Sequence, residues 1–293
     1  MSKILYEGVP TLRSEDRSRA IGGILVEQGL LTLSEAEQIE SYASENGLRF
    51  GDAAVRLNRL TQSDVELAVA QQFNYPILSR GGKDGVAEDV VAAYSPQSEL
   101  IEPLRAIRSL ISLRWLKEPT HKVLAITSAD RREGRSWLAA NLATVFAQIG
   151  HRTLLIDADM RHPRQHVLFN LNNDVGLSAL VTGRAGREVV CRIHPKLRLF
   201  VLPAGMMPPN PHELLARPIF GLVLQRFAEQ FDIVLMDTPA MSETADTQII
   251  AARAGSAIMV TRRNRTRCAH LAAAMQSLHH ADVSVIGSVY NKH

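Results

Sequence analysis

The chain has few of the residues that tie small folds together: 2 cysteines, 2 tryptophans and 5% aromatic residues among 293. Cys191 and Cys268 could form one bridge at most, so no disulfide framework exists. Free thiols in a reducing compartment are the simpler expectation. Long apolar runs are missing as well, and nothing approaches the roughly 18 consecutive apolar residues of a membrane-spanning helix. The opening stretch, MSKILYEGVPTLRSEDRSRA, carries charges where a signal peptide needs an apolar centre. Lysine is scarce too, because 27 of the 33 Lys and Arg residues are arginine. What remains, 46% hydrophobic and 22% charged, excludes a fully disordered chain. The length suggests about two domains.

Charge divides along the chain. Residues 1–98 hold 9 Lys+Arg against 14 Asp+Glu, a balance of −5, whereas residues 99–293 hold 24 against 16, a balance of +8. An acidic first third and a basic remainder imply two bodies with different partners. Basic surfaces suit nucleic acid, acidic lipid or a nucleotide. No groove-reading motif is visible, so nucleic acid is not an expected partner.

Residues 1–18 show no apolar periodicity and read as a flexible tail. An internal repeat follows. IGGILVEQGLLTLSEAEQI (21–39) aligns with FGDAAVRLNRLTQSDVELA (50–68), sharing Gly22/Gly51, Val26/Val55, Leu31/Leu60, Thr32/Thr61, Ser34/Ser63 and Glu37/Glu66. Each copy reads as a short helix, a turn and a second helix capped by Thr or Ser, with Ser34–Glu37 and Ser63–Glu66 as capping boxes. The pair predicts a helical tandem-repeat domain over 19–78. Residues 79–98, with Gly81, Gly82, Gly85 and Pro96, read as a linker. Apolar residues at Ile101, Leu104, Ile107, Ile111 and Trp115 predict an amphipathic helix from Glu99 to Leu116.

From Lys122 onward short apolar runs alternate with helical stretches: VLAITS, TLLIDA, LRLFVLP, DIVLMDT, SAIMVT and VSVIGSV. This predicts an α/β domain over 99–293, a parallel sheet with helices on both faces. Ligands of such sheets lie at the C-terminal ends of the strands.

Those ends carry the unusual residues. ITSADRREGRS follows the first strand with the spacing of a phosphate-cradling loop running into a helix. Successive backbone N–H groups and the helix N-terminus would face anionic oxygens there, and Ser136 would hold Mg²⁺. Read alone, the loop is weak evidence against an ordinary strand–turn–helix. Asp157 and Asp159 lie just past the second strand, where buried carboxylates are costly unless they meet a cation or do acid–base work; a helix cap plus a surface Asp is the plainer alternative. Asp237 closes a later strand, the position of a Mg²⁺-holding carboxylate opposite a phosphate loop.

Together, ITSADRREGRS, LLIDADMR and VLMDTP resemble the Walker A, A′ and B motifs of bacterial P-loop tyrosine kinases. Glu102, Arg105 and Arg108 match that family's E-x-x-R-x-x-R helix, which implies ring oligomerisation. PPNPHELL (208–215) resembles its PPNPSELL segment, with His212 for Ser. The overall plan looks most like the chain-length determinant tyrosine kinases of the EpsG type, which serve exopolysaccharide synthesis. The repeat domain resembles the N-terminal domain of type II secretion and pilus ATPases, some of which bind cyclic di-GMP. Arg49 and Gln72 match that motif in the second copy, whereas Ala20 and Ala43 replace them in the first. A protein-docking role is the competing expectation for this domain.

The resemblance implies ATP-dependent phosphoryl transfer to tyrosine, with ATP and Mg²⁺ as cofactors. Arg131, Arg132, Glu133, Gly134, Arg135, Ser136 and Trp137 would bind the nucleotide, Arg135 supplying the cation. Ser136, Asp237 and Asp157 would hold the metal. Asp157 would accept the tyrosine proton, Asp159 would support the metal shell, and Arg161 would orient the Asp pair. The resemblance also implies a cytoplasmic protein recruited to the inner membrane by a chain-length determinant partner that activates it.

Three departures qualify it. Arg135 replaces the usual Lys, whose compact charge a planar guanidinium does not reproduce. Arg132 replaces the usual Gly. Tyr290, the only tyrosine after Tyr94, is expected to be a buried residue of the last strand, which places the substrate tyrosine on another protein. A non-catalytic nucleotide-binding regulator of polysaccharide export therefore stands as the alternative. A partitioning-type ATPase is disfavoured, since Ala129 stands where such loops carry Lys.

Overall fold

The computed structural model describes residues 21–73, 75–78, 85–95 and 98–292. It divides into two compact units, residues 1–77 and 78–293. The tail expected over 1–18 lies outside the described residues.

The first unit is helical. Helices α1 (Ile21–Glu27), α2 (Leu33–Asn46), α3 (Phe50–Arg56) and α4 (Gln62–Gln72) pack with α1 on α4 and α2 on α3. Their core holds Ile24, Leu25, Leu31, Ile39, Ala54, Leu60 and Val65. Gly29 (φ 71°) and Asn58 (φ 53°) are equivalent in the repeat, and both take the left-handed turn after the first helix of their copy. Glycine and asparagine are the residues that adopt it most readily. The capping boxes sit two residues earlier than the Ser34 and Ser63 reading. Thr32 caps α2 with Glu35, and Thr61 caps α4 with Asp64, each side chain answering the other's backbone N–H. Thr32 and Thr61 have the extended backbone a cap needs, whereas Ser34 and Ser63 are already helical.

The second unit is a seven-stranded sheet: β1 (Val123–Ser128), β2 (Thr153–Asp157), β3 (Cys191–Arg192), β4 (Leu199–Leu202), β5 (Ile233–Asp237), β6 (Ser256–Arg262) and β7 (Ser284–Asn291). Their order is β3-β4-β2-β5-β1-β6-β7, parallel except for the antiparallel β3 at one edge. Successive residues of β5 alternate between layers. Ile233 and Leu235 face the core of α7 (Arg135–Gln148), whereas Val234 and Met236 face that of α11 (Pro218–Gln230) and α12 (Asp246–Ala254). Both faces of the sheet are thus covered, which explains its continuous apolar strands. A helix α6 spans Ile101–Arg114, inside the expected 99–116.

Part of the expected linker is structural. Val86, Val90, Ala92, Ala93 and Tyr94 are buried in the core of the second unit. Asn141 of α7 accepts the Ala92 N–H (3.0 Å) and donates to the Asp89 carbonyl (3.0 Å), and Gln148 donates to the Ala92 carbonyl (2.7 Å). Glycines at 81, 82 and 85 dominate the sequence signal, but the following VAEDVVAAY is apolar enough to cover α7. Residues 79–84 and 96–97 lie outside the described residues.

Candidate active site

Strand β1 ends at Ser128, and the loop Ala129–Gly134 leads into α7. Arg132 has φ 60°, a left-handed conformation that costs a non-glycine residue roughly 1–2 kcal/mol. Gly134 (φ 98°) is required twice, since a Cβ there would also lie 2.4 Å from Asn291 Nδ2. The loop is fastened from outside. Arg262 donates to the Arg132 carbonyl (2.8 Å) and Arg265 to the Arg131 carbonyl (3.0 Å). Glu133 is fully buried; its carboxylate accepts the Asp130 N–H (2.9 Å) and the Thr266 hydroxyl. The Glu133 carboxylate therefore braces the loop from within. The basic run 262–267 supplies three of these ties.

Arg135 turns back under the loop. Only 8% exposed, it donates through Nε to the Thr238 carbonyl (2.8 Å) and through Nη1 to Ser128 Oγ and the Asp130 carbonyl (3.1 Å). Its charge is kept, and its donors are largely engaged by the protein. A cavity of about 470 Å³ opens over the loop. It is lined by residues 131–137 together with Asp89, Asp159, His162, Arg164, Leu168 and Glu243.

Beside the loop stand the strand-end carboxylates. Asp157 and Asp237 are register partners on adjacent β2 and β5, and both are fully buried. Asp157 accepts three backbone N–H groups: Oδ2 those of Arg164 (2.9 Å) and Gln165 (2.8 Å), and Oδ1, with a lone pair to spare, that of Asp159 (3.3 Å). Burial and then the Asp237 charge push its carboxyl well above the usual range, against those N–H bonds. Burial likewise pushes Asp237 up to about 6, opposed by Arg135 and by hydrogen bonds from Ser136 and Gln165. Asp237 Oδ2 accepts Gln165 Nε2 (2.8 Å), whereas Oδ1 is buried with no hydrogen-bond partner. An unpaired buried acceptor costs about 1–3 kcal/mol. A hard cation, which takes oxygen ligands, would relieve that at Asp237 and Ser136. Asp157 fits the direct-ligand role less well, because three N–H groups already donate to it.

Asp159, almost buried, accepts the N–H groups of Arg161 (3.2 Å) and His162 (2.9 Å) and so shapes the turn after β2. The Arg161 guanidinium does not orient the Asp pair. It goes to Asp246 (2.8 Å), which also meets His212 Nδ1 (3.2 Å). This buried Asp246 joins three strand-end loops and went unread in the sequence, as did Gln165. The signal for both was faint: an Asp opening a helix, and a Gln after Pro163-Arg164.

Elsewhere, Glu102 pairs with Arg105 (3.5 Å) on α6, and Arg108 reaches the Val145 carbonyl (3.2 Å). Arg49 is the N-terminal flank of α3 and Gln72 the last residue of α4, and both side chains are exposed. Tyr290, expected to be buried, is 59% exposed. It lies on β7, an edge strand with one open face, so its side chain alternates outward.

A family model described as "Cellulose biosynthesis protein BcsQ" matches residues 122–290. The chain belongs to this P-loop family, in its bacterial tyrosine-kinase branch. Tyrosine-protein kinase YwqD of Bacillus subtilis is 34% identical over 213 residues, 73% of this chain and 89% of YwqD. Putative tyrosine-protein kinase EpsB of Ralstonia solanacearum is 36% identical over 202 residues, 69% of this chain. That match spans 27% of EpsB, so the chain corresponds to about a quarter of that relative. The kinase domain of Escherichia coli tyrosine kinase ETK superposes with a TM-score of 0.67 at 30% identity, covering 73% of this chain and 83% of that one. The tyrosine-kinase family thus shares the P-loop sheet on which Asp157 and Asp237 stand. Among the described residues no helix is long and apolar enough to cross a membrane.

Proposed function

We propose that this chain transfers the γ-phosphoryl group of ATP to a tyrosine hydroxyl and so regulates exopolysaccharide chain length and export. The observation that carries the reading is the buried Asp157–Asp237 pair beside an open loop cavity, with Asp237 Oδ1 unpartnered. Loop N–H groups of 131–136 hold the β-phosphate; Ser136 and Asp237 would hold Mg²⁺, which would supply charge neutralisation for the phosphates. The tyrosine oxygen forms the new bond to Pγ, the bond from Pγ to the β–γ bridging oxygen breaks, and ADP leaves. Asp157 takes the phenolic proton, and Asp159 keeps its turn in place.

In the same reading the protein is cytoplasmic and is recruited to the inner membrane by a chain-length determinant partner. Glu102, Arg105 and Arg108 contribute to a homo-oligomeric ring. The helical unit docks a protein, with cyclic di-GMP at Arg49 and Gln72 as the competing ligand. Arg135 weakens catalysis because three of its five N–H donors are taken up by Thr238, Ser128 and Asp130. Loss of one well-placed transition-state donor lowers a rate about 10²–10³-fold. That same feature favours the second reading, a nucleotide-binding regulator without kinase activity.

Phosphotyrosine formation from ³²P-ATP by wild type, Arg135→Lys and Asp157→Ala separates them. The kinase reading expects a wild-type signal that Asp157→Ala lowers more than about 10²-fold and that Arg135→Lys raises. Tight Mg-ADP binding with no signal from wild type or Arg135→Lys would leave the regulator.

A further inference from the structure

Gln165 is fully buried at the start of α8 (Gln165–Leu168) and touches every part of the acidic site. Its backbone N–H goes to Asp157 Oδ2 (2.8 Å), and its Nε2 donates to Asp237 Oδ2 (2.8 Å) and to the Ser136 carbonyl (3.1 Å). This donor pattern fixes the amide. Turned over, Oε1 would face two oxygen acceptors. In the observed orientation Oε1 is buried with no hydrogen-bond partner, like Asp237 Oδ1. Each partner of the Gln165–Asp237 hydrogen bond thus keeps one buried acceptor without a donor.

We propose that Gln165 is a positioning residue of the cation site: Nε2 holds Asp237 Oδ2 so that Oδ1 is presented to Mg²⁺, and Oε1 accepts a hydrogen bond from a metal-bound water. The inference rests on the Mg-nucleotide reading above and deepens it. Mg²⁺ keeps several waters when it binds. Outer partners that orient a ligand and receive those waters typically change metal affinity 10- to 100-fold when removed. The tie to the Ser136 carbonyl accounts for Nε2 and leaves Oε1 without a role. Its neighbour Leu168 is the apolar anchor of this short helix.

The test is the metal dependence of nucleotide binding, measured calorimetrically on the full chain as the ratio of the ADP Kd in EDTA to the Kd of Mg-ADP. Gln165→Leu removes both polar functions at similar volume and is expected to lower the ratio about tenfold or more, with the EDTA value unchanged. Gln165→Glu keeps the volume but puts an oxygen where Nε2 donates to Asp237 and to the Ser136 carbonyl, and is expected to lower the ratio as well. A residue needed only for packing would leave the ratio of the isosteric Glu variant unchanged. Mn²⁺ electron paramagnetic resonance of the Mn-ADP complex provides the second readout, the Leu variant losing bound signal first. A wild-type ratio well above one that neither variant changes would overturn the role of Gln165 alone. A wild type that binds no Mg-ADP would overturn the nucleotide reading and this inference together. Should Gln165→Leu not fold, the fall expected for Gln165→Glu decides, and its absence overturns the proposal.

Discussion

In the helical unit the polar groups that set the structure lie at helix ends and on the surface: Thr32 with Glu35, Thr61 with Asp64, and the Glu35–Arg59 ion pair (2.9 Å). In the P-loop unit they lie inside the fold, where Asp157, Asp237, Gln165 and Glu133 are all fully buried. Surface caps contribute a little stability each and can be lost singly. Buried carboxylates work the other way, since ionisation in an apolar setting is unfavourable unless something charged arrives to meet it. The first unit has its polar groups placed for folding, and the second carries groups placed against folding that only a ligand rewards.

The largest expected effect tests that contrast directly. Asp237 is raised to about 6 by burial, above its unfolded value. The folded state therefore binds its proton more tightly, and the associated stability is present below about pH 4 and lost as pH rises through about 6. Asp237→Asn removes the ionisation and should stabilise the metal-free protein by about 3 kcal/mol at pH 8, a benefit that fades towards pH 4. Urea unfolding in EDTA at the two pH values measures it. A less stable Asn variant at pH 8 would mean that the carboxylate is satisfied by groups other than a ligand. The same substitution should weaken Mg-ADP binding, so that stability and ligand affinity change in opposite directions.

How much of each unit could be read from the residues follows the same division. Strands β1, β2, β5 and β6 coincide closely with apolar runs, because a strand covered on both faces leaves a continuous signal. The two-residue β3 is too short to leave one. Asp157, Asp159 and Asp237 stand out because a carboxylate ending such a run is unusual. Gln165, Asp246 and the ties from Arg262 and Arg265 depend on which loops meet at one rim, and no local pattern encodes that meeting. Tyr290 was misjudged because edge position decides its exposure, and edge position is a property of strand order. In the helical unit the repeat is plain, yet the caps fall at Thr32 and Thr61: several Ser and Thr residues offer a cap, and the backbone conformation selects one.

The next effect contrasts the two copies of the repeat. Gly22 and Gly51 are equivalent, but a Cβ at Gly51 would lie 2.4 Å from Val65 Cγ1, whereas one at Gly22 would lie 3.3 Å from the Phe50 ring. Gly51→Ala is therefore expected to destabilise the unit by about 1–3 kcal/mol through overpacking. Gly22→Ala needs only a small ring shift and gains helix propensity, so it should lie near neutral. Hydrogen exchange over residues 21–73 of the full chain reports both, and equal losses would show that the copies are packed alike.

The smallest effect lies in the caps themselves. Thr32→Ala and Thr61→Ala each remove a hydroxyl that accepts an N–H at the start of a helix, at about 1 kcal/mol apiece. The two boxes differ in what stays behind. Glu35 accepts the Thr32 backbone N–H (2.9 Å) and is also held by Arg59, whereas Asp64 has the Thr61 backbone and hydroxyl as its side-chain partners. After Thr32→Ala the ion pair still aims Glu35 at the helix start, so α2 should fray less than α4 does after Thr61→Ala. Exchange rates of the first-turn amides at low salt should show α4 opening further, and moderate salt should narrow the gap by screening Arg59. Equal fraying at low salt would mean that the Arg59 bridge contributes nothing to the cap, and that the two copies are equivalent at their helix starts.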